Sequence, residues 1–73
     1  MSFQAQLMYM IGWVLKRPES LLTHSTDFRR DLDMDDTDVE LMVFRLESYF
    51  HKELTTDQVR GIRTVQDVGR LLR

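Results

Sequence analysis

From Val39 to Phe50, apolar residues return every three or four positions: Val39, Met42, Val43, Leu46, Tyr49 and Phe50. That spacing lays one apolar stripe along an α-helix, whereas a half-buried strand needs alternation. A helix of this kind must bury its stripe against other elements, and the 73-residue chain offers only more helices for the purpose. Phe3, Leu7, Met8, Met10, Ile11, Val14 and Leu15 repeat the helical spacing near the start of the chain. Gly12 costs roughly 1 kcal/mol inside such a helix, so a close approach by another segment is expected there. Pro18 disfavours helical geometry at Arg17, which predicts an end near Lys16.

Helix starts are written in the polar residues. Asp36 and Thr37 are both good N-caps for the helix over 36–50, and Thr37 with Glu40 has capping-box spacing. Thr55 with Gln58 repeats that spacing and predicts a short helix ending near Gly61. Thr64 caps a last helix carrying Val65, Val68, Leu71 and Leu72. Residues 17–35 form a long connection in which Leu21, Leu22, Phe28 and Leu32 are the expected anchors on the core. A loop of that length has a function or a short helix of its own. Tyr9, Trp13 and Phe44 lie among apolar neighbours on helices, and most of them are expected in the core. No run alternates well enough to predict a strand.

Composition narrows the function. Without cysteine, disulfides, thiolate metal sites and thiol catalysis are excluded, and a cytoplasmic setting is expected. The segment from Phe3 to Leu15 lacks a basic region before it and a small-residue cleavage site after it, so it is read as a helix of the fold and not as a signal peptide. No apolar run approaches the length of a membrane span. The net charge is −2, unevenly placed: residues 27–40 hold seven acids (Asp27, Asp31, Asp33, Asp35, Asp36, Asp38, Glu40) against Arg29 and Arg30. An acidic pole of this kind suits a protein partner with a basic docking surface. Nucleic-acid binding would need a clustered basic face, and Arg60, Arg63, Arg70 and Arg73 are too few against such a pole.

Other site chemistries fail on pattern. Asp31, Asp33 and Asp35 have the one-three-five spacing of a calcium loop, but Asp36 and Met42 stand where such a loop needs a glycine and a bidentate glutamate. His24 and His51 lie far apart in sequence and outside any ligand pattern. Ser20, Ser25 and Ser48 have no triad neighbourhood. No enzyme activity is expected, and no metal site.

One set of residues carries a resemblance. Asp31-Leu32, Asp35 and Asp38, Leu46-Glu47 and Phe50, Glu53-Leu54, and Ile62-Arg63-Thr64-Val65-Gln66-Asp67-Val68 follow one another without insertions. With Ile11-Gly12, Leu15, Leu22 and Phe28 upstream, this pattern resembles the acyl carrier protein family over residues 7–72. The resemblance implies an all-α fold for the single domain 1–73: a small four-helix bundle with a long loop between helices 1 and 2 and a short third helix. It also implies a 4'-phosphopantetheine arm on a serine, but the position of that serine holds Asp36. The family's glycine after Asp-Leu is Asp33, and the leucine after the serine is Thr37.

A carboxylate at position 36 would yield a labile acyl phosphate, so the arm is not expected, and Asp36 is a degenerate attachment position. Thr37 has a hydroxyl but sits about 100° further round the helix. The function expected from the resemblance is a non-enzymatic carrier-like protein, not phosphopantetheinylated. It would dock a partner, in the family an acyl-chain-processing enzyme, through the acidic start of the second helix. Asp35, Asp36, Asp38 and Glu40 would supply attraction, and Met42 or Phe44 the apolar contact. The alternative is a functional carrier of fatty-acid, lipid or polyketide biosynthesis with an altered attachment site.

Overall fold

The architecture follows from four side-chain caps. In a computed structural model that describes residues 2–73, helices α1 (Phe3–Leu15), α2 (Asp36–Phe50), α3 (Thr56–Arg60) and α4 (Val65–Leu72) each begin after a residue whose side-chain oxygen accepts a backbone N–H three residues on. The caps are Ser2, Asp35, Thr55 and Thr64. Such a bond satisfies one of the donors that every helix start leaves without an internal partner. The caps at Thr55 and Thr64 agree with the sequence reading. The protein is an all-α bundle with a long α1–α2 loop and a short α3. No strand occurs among the described residues; a single antiparallel bridge joins Asp27 and Thr64.

Two helices close with a turn into left-handed backbone. Lys16 (φ 56°) lets its N–H reach the Trp13 carbonyl at 3.3 Å and the Arg17 N–H reach that of Gly12 at 2.9 Å, the paired bonds of a Schellman motif. His51 (φ 56°) ends α2 in the same backbone region, and the Lys52 N–H meets the Glu47 carbonyl at 3.0 Å. A Cβ on Gly12 would stand 3.0 Å from the Arg17 carbonyl oxygen and 3.2 Å from Glu19 Cγ. The close approach expected at Gly12 is therefore made by the chain returning on itself after α1.

The core is one cluster. Leu7 and Ile11 of α1, the four inward residues of α2 (Val39, Met42, Val43 and Leu46), and Val65, Val68 and Leu72 of α4 meet Leu22, Phe28, Leu32 and Ile62 from the connections. Phe28 is wholly buried, and its burial is worth about 1.5–3 kcal/mol, so the long loop contributes to the core as a helix would. Leu21 is a correction: it is 65% exposed. The 3₁₀ turn Glu19–Leu21 rotates it outward, and Leu22, leaving that turn in extended backbone (φ −107°, ψ 136°), points inward instead.

The expectation that most of Tyr9, Trp13 and Phe44 lie in the core is corrected too: they are 48%, 66% and 69% exposed. Tyr9 and Trp13 each lie two residues from buried Ile11, a rotation of about 200°, which puts both on the opposite face. Phe44 stands in the same relation to buried Met42 and Leu46.

The long loop is bonded to the start of α4. The Val65 and Gln66 N–H groups donate to the carbonyls of Thr26 (3.1 Å) and His24 (2.9 Å), and the Phe28 N–H donates to Arg63 (3.0 Å). The Asp67 carboxylate accepts the N–H groups of Arg63 (2.9 Å) and Thr64 (3.0 Å), and the Asp67 N–H donates to the Thr64 hydroxyl. All four opening donors of α4, from Thr64 to Asp67, thus have partners. Partial burial opposes ionisation of Asp67, but the Arg63 and Thr64 amides and the Thr64 hydroxyl outweigh it and hold its carboxyl below the ordinary 3.8.

A carboxyl with a depressed value in the folded state adds stability above its unfolded value and loses it as pH falls through the folded one. Asp67→Asn is expected to lower the unfolding free energy at neutral pH and to flatten its decline below roughly pH 4, read from urea titrations at several pH values.

Candidate functional site

The start of α2 is prepared by the loop before it. Asp27 and Asp31 close a single turn: the Asp31 N–H donates to the Asp27 carbonyl (2.9 Å) and the Asp27 N–H to Asp31 Oδ2 (2.8 Å). Asp27 Oδ1 accepts the N–H groups of Arg29 and Arg30, each at 2.9 Å. The Arg30 amide, with that of Arg29, lowers the Asp27 carboxyl value; the Arg30 guanidinium and the Asp27 amide lower that of Asp31. The chain then turns through Asp33 in left-handed backbone (φ 56°), and the Met34 N–H donates to the Phe28 carbonyl at 3.1 Å. Aspartate tolerates this conformation better than most residues.

The N-cap of α2 is Asp35, not Asp36 or Thr37. The Asp38 N–H donates to Asp35 Oδ1 at 2.8 Å, and the Asp35 N–H donates to Asp38 Oδ2 at 3.1 Å, a reciprocal box. The expected box of Thr37 with Glu40 does not form. Asp35 takes the cap because Asp33 and Met34 deliver the chain in extended geometry at residue 35 (φ −93°, ψ −179°). Asp36 is therefore the first helical residue and Thr37 the second.

Asp36 stands at the corner between α2 and the loop, its side chain 83% exposed. Arg29 Nε donates to Asp36 Oδ1 at 2.9 Å while Arg29 Nη1 donates to the Ile62 carbonyl at 2.8 Å. One guanidinium thus spans from the start of α2 to the segment before α4. An exposed pair contributes about 1 kcal/mol or less, so its effect is placement: the carboxylate is held against the loop. Asp36 also sits where the α2 dipole favours negative charge. Glu40 is exposed one turn later, and Arg29, Asp36, Glu40 and Arg60 share a cleft of ≈ 410 Å³.

The structure brings Asp35, Asp36, Asp38, Glu40 and Phe44 to the surface along α2 and withdraws Met42. At 1% exposure, Met42 belongs to the core because it lies three residues after Val39 and four before Leu46, on the inward stripe. It offers a partner no contact. Leu41, 58% exposed, takes that place beside Phe44. Its outward position was readable in the sequence from its two-residue offset to Val39 and Val43, a rotation of about 200° from each.

No hydroxyl nucleophile stands at position 36, and the oxygen that is there bonds Arg29. The one hydroxyl in the first turn of α2 is that of Thr37. Among the described residues, no group of three His, Asp or Glu side chains is placed to hold a metal ion. Asp31 is engaged by Arg30 and Asp35 by the Asp38 amide. Arg70 approaches Asp67 at 3.9 Å, and Arg73 lies over the Phe3 ring. No described helix is long and apolar enough to cross a membrane.

The cap assignment is testable by two alanines. Asp35→Ala is expected to cost about 1 kcal/mol in urea unfolding and Thr37→Ala less than about 0.5 kcal/mol; the reverse order would return the cap to residue 37.

Compared with known proteins, the chain matches no family model and no curated protein sequence.

Proposed function

We propose that the protein is a carrier-like docking protein without a prosthetic arm. It is non-enzymatic and binds a partner with a basic surface through the start of α2. Glu40 supplies charge from solvent, Asp36 charge shared with Arg29, Asp35 and Asp38 contribute charge while capping the helix, and Phe44 with Leu41 forms the apolar contact. The observation that carries this reading is the position of Asp36. The two aspartates of the carrier pattern form the reciprocal cap, the glycine position is left-handed, and the degenerate residue between them projects from the first turn. Asp33, Asp35 and Asp38 thus each have a physical task at the start of α2, which supports the reading. The partner class that this surface suits is an acyl-chain-processing enzyme.

The attachment position is tested by restoring the nucleophile. Incubated with coenzyme A and a broad-specificity phosphopantetheinyl transferase, Asp36→Ser is expected to gain the mass of the arm and the natural chain none. A base-stable gain on the natural chain would favour the working-carrier alternative, with Thr37 as the first residue to map. If Asp36→Ser stays unmodified while remaining folded, position 36 is not the equivalent of the carrier serine.

Docking is tested separately. Amide signals of α2 residues are expected to shift on titration with a carrier-dependent ketosynthase. The shifts should be lost when Asp35, Asp36, Asp38 and Glu40 become Asn and Gln; undiminished binding by that folded variant would rule out acidic docking.

A further inference from the structure

A second surface adjoins the acidic corner: Lys16, Arg17 and Arg45 line both its groove and the cleft that holds Asp33 and Asp38. Tyr9 and Trp13, one turn apart on α1, flank a groove of ≈ 640 Å³ that Lys16, Arg17 and Pro18 continue and Arg45 of α2 completes. Trp13 is the most exposed residue of α1 among the large apolar ones, at 66%. The wall opposite the aromatics is firm. Gly12 lets the returning chain pass at contact distance, the left-handed turn at Lys16 fixes its direction, and Pro18 restricts it further.

The charge of this groove is opposite to that of the protein. Three cations line it against the single carboxylate of Glu19, in a chain whose net charge is −2. Among the described residues, none of the three cations forms an ion pair, whereas Arg29, Arg30 and Arg70 all do. Arg17 makes one long bond, 3.4 Å, to the Leu32 carbonyl; Lys16 and Arg45 make no side-chain hydrogen bond. Exposed tryptophan, tyrosine and arginine together are the residue types that dominate binding hot spots. Cations around aromatic surface select a ligand with both negative charge and apolar bulk.

We propose that this groove docks a short acidic segment of another protein, with one large apolar side chain seated against Trp13 and Tyr9. The carboxylates would face Lys16, Arg17 and Arg45. A peptide fits better than a nucleic acid, because a strand with a charge on every residue would run onto Glu19 and toward Asp33 and Asp38, which lie beside Arg45 in the adjoining cleft. The proposal does not rest on the carrier reading. It adds a second partner surface of opposite sign, so that the protein would hold a basic surface at one site and an acidic one at the other.

The chain has one tryptophan, so its emission reports on the groove directly. The intact protein is titrated at low salt with the synthetic peptide Glu-Glu-Leu-Phe-Glu-Glu. A saturable change in Trp13 emission is expected, weakened about tenfold or more by Arg45→Glu and reduced by salt. Lys52→Glu, which reverses a charge outside the groove, leaves the titration unchanged. Circular dichroism of each variant checks that it is folded, and amide shifts around Tyr9 and Lys16 in Trp13→Phe give a readout independent of the indole.

Four results would overturn the proposal. One is the absence of a saturable change, and another is equal binding by folded Arg45→Glu. A third is binding to phosphatidylglycerol vesicles or to an oligothymidylate with none to the peptide. The last is a concentration-dependent dimer, seen by sedimentation, that Arg45→Glu dissolves. None of these outcomes bears on the modification of Asp36→Ser.

Discussion

The seam between the long loop and the start of α4 holds the rest in place. A helix start leaves its first donors exposed, and here two of them meet loop carbonyls while a capping box provides for the others. The bonds are mutual in effect. They complete α4, and they fix residues 24–28 against it, which seats Phe28 in the core. Once Phe28 is seated, its carbonyl receives the Met34 N–H and Arg29 reaches the Ile62 carbonyl. The direction from which the chain enters α2 is then determined. The acidic corner is thus built from a connection of irregular backbone, yet it rests on buried apolar surface and satisfied polar groups. That combination is what a small domain requires, since its core alone stabilises by only a few kcal/mol.

The acidic pole is less uniform than its charge suggests. Asp27, Asp31, Asp35 and Asp38 accept backbone N–H groups and shape the chain. Asp36 pairs with a guanidinium, and Asp33 and Glu40 stand in solvent. A run of acids that reads as one docking surface is therefore two populations, one shaping the backbone and one available to a partner. Charge density at the α2 start is a by-product of capping as well as a means of attraction. A neutral cap would keep the helix but not the field around it.

How much of this was legible depended on how local each determinant was. The caps at Thr55 and Thr64 need only a three-residue spacing, and the sequence shows them directly. The α2 cap was misplaced by one or two residues because Asp35, Asp36 and Thr37 are all competent. The choice among them falls to the backbone at Asp33 and the bond from Met34 to Phe28, neither of which is a local pattern. Met42 was assigned outward by analogy with the carrier surface, against its own spacing from Val39 and Leu46; the spacing prevailed. Leu41 and the Tyr9–Trp13 face were readable by the same angular argument. The groove was not, because it depends on Arg45 from another helix and on the path of residues 16–18. That position 36 holds an aspartate is visible in one letter, but its pairing with Arg29, which also bonds the Ile62 carbonyl, is a matter of tertiary structure.

Lys16, Asp33 and His51 all hold left-handed backbone without being glycine, which costs roughly 1 kcal/mol at each corner. Lys16 lines the basic groove and Asp33 precedes the acidic corner, so at both positions side-chain chemistry is retained where a bare backbone would relax more easily. His51 shares a cleft with Phe44, beyond the apolar end of the α2 surface. A designer wishing to reshape the α2 face would find in that one corner a margin of rigidity to draw on, and Phe44 would be the first side chain to register the change.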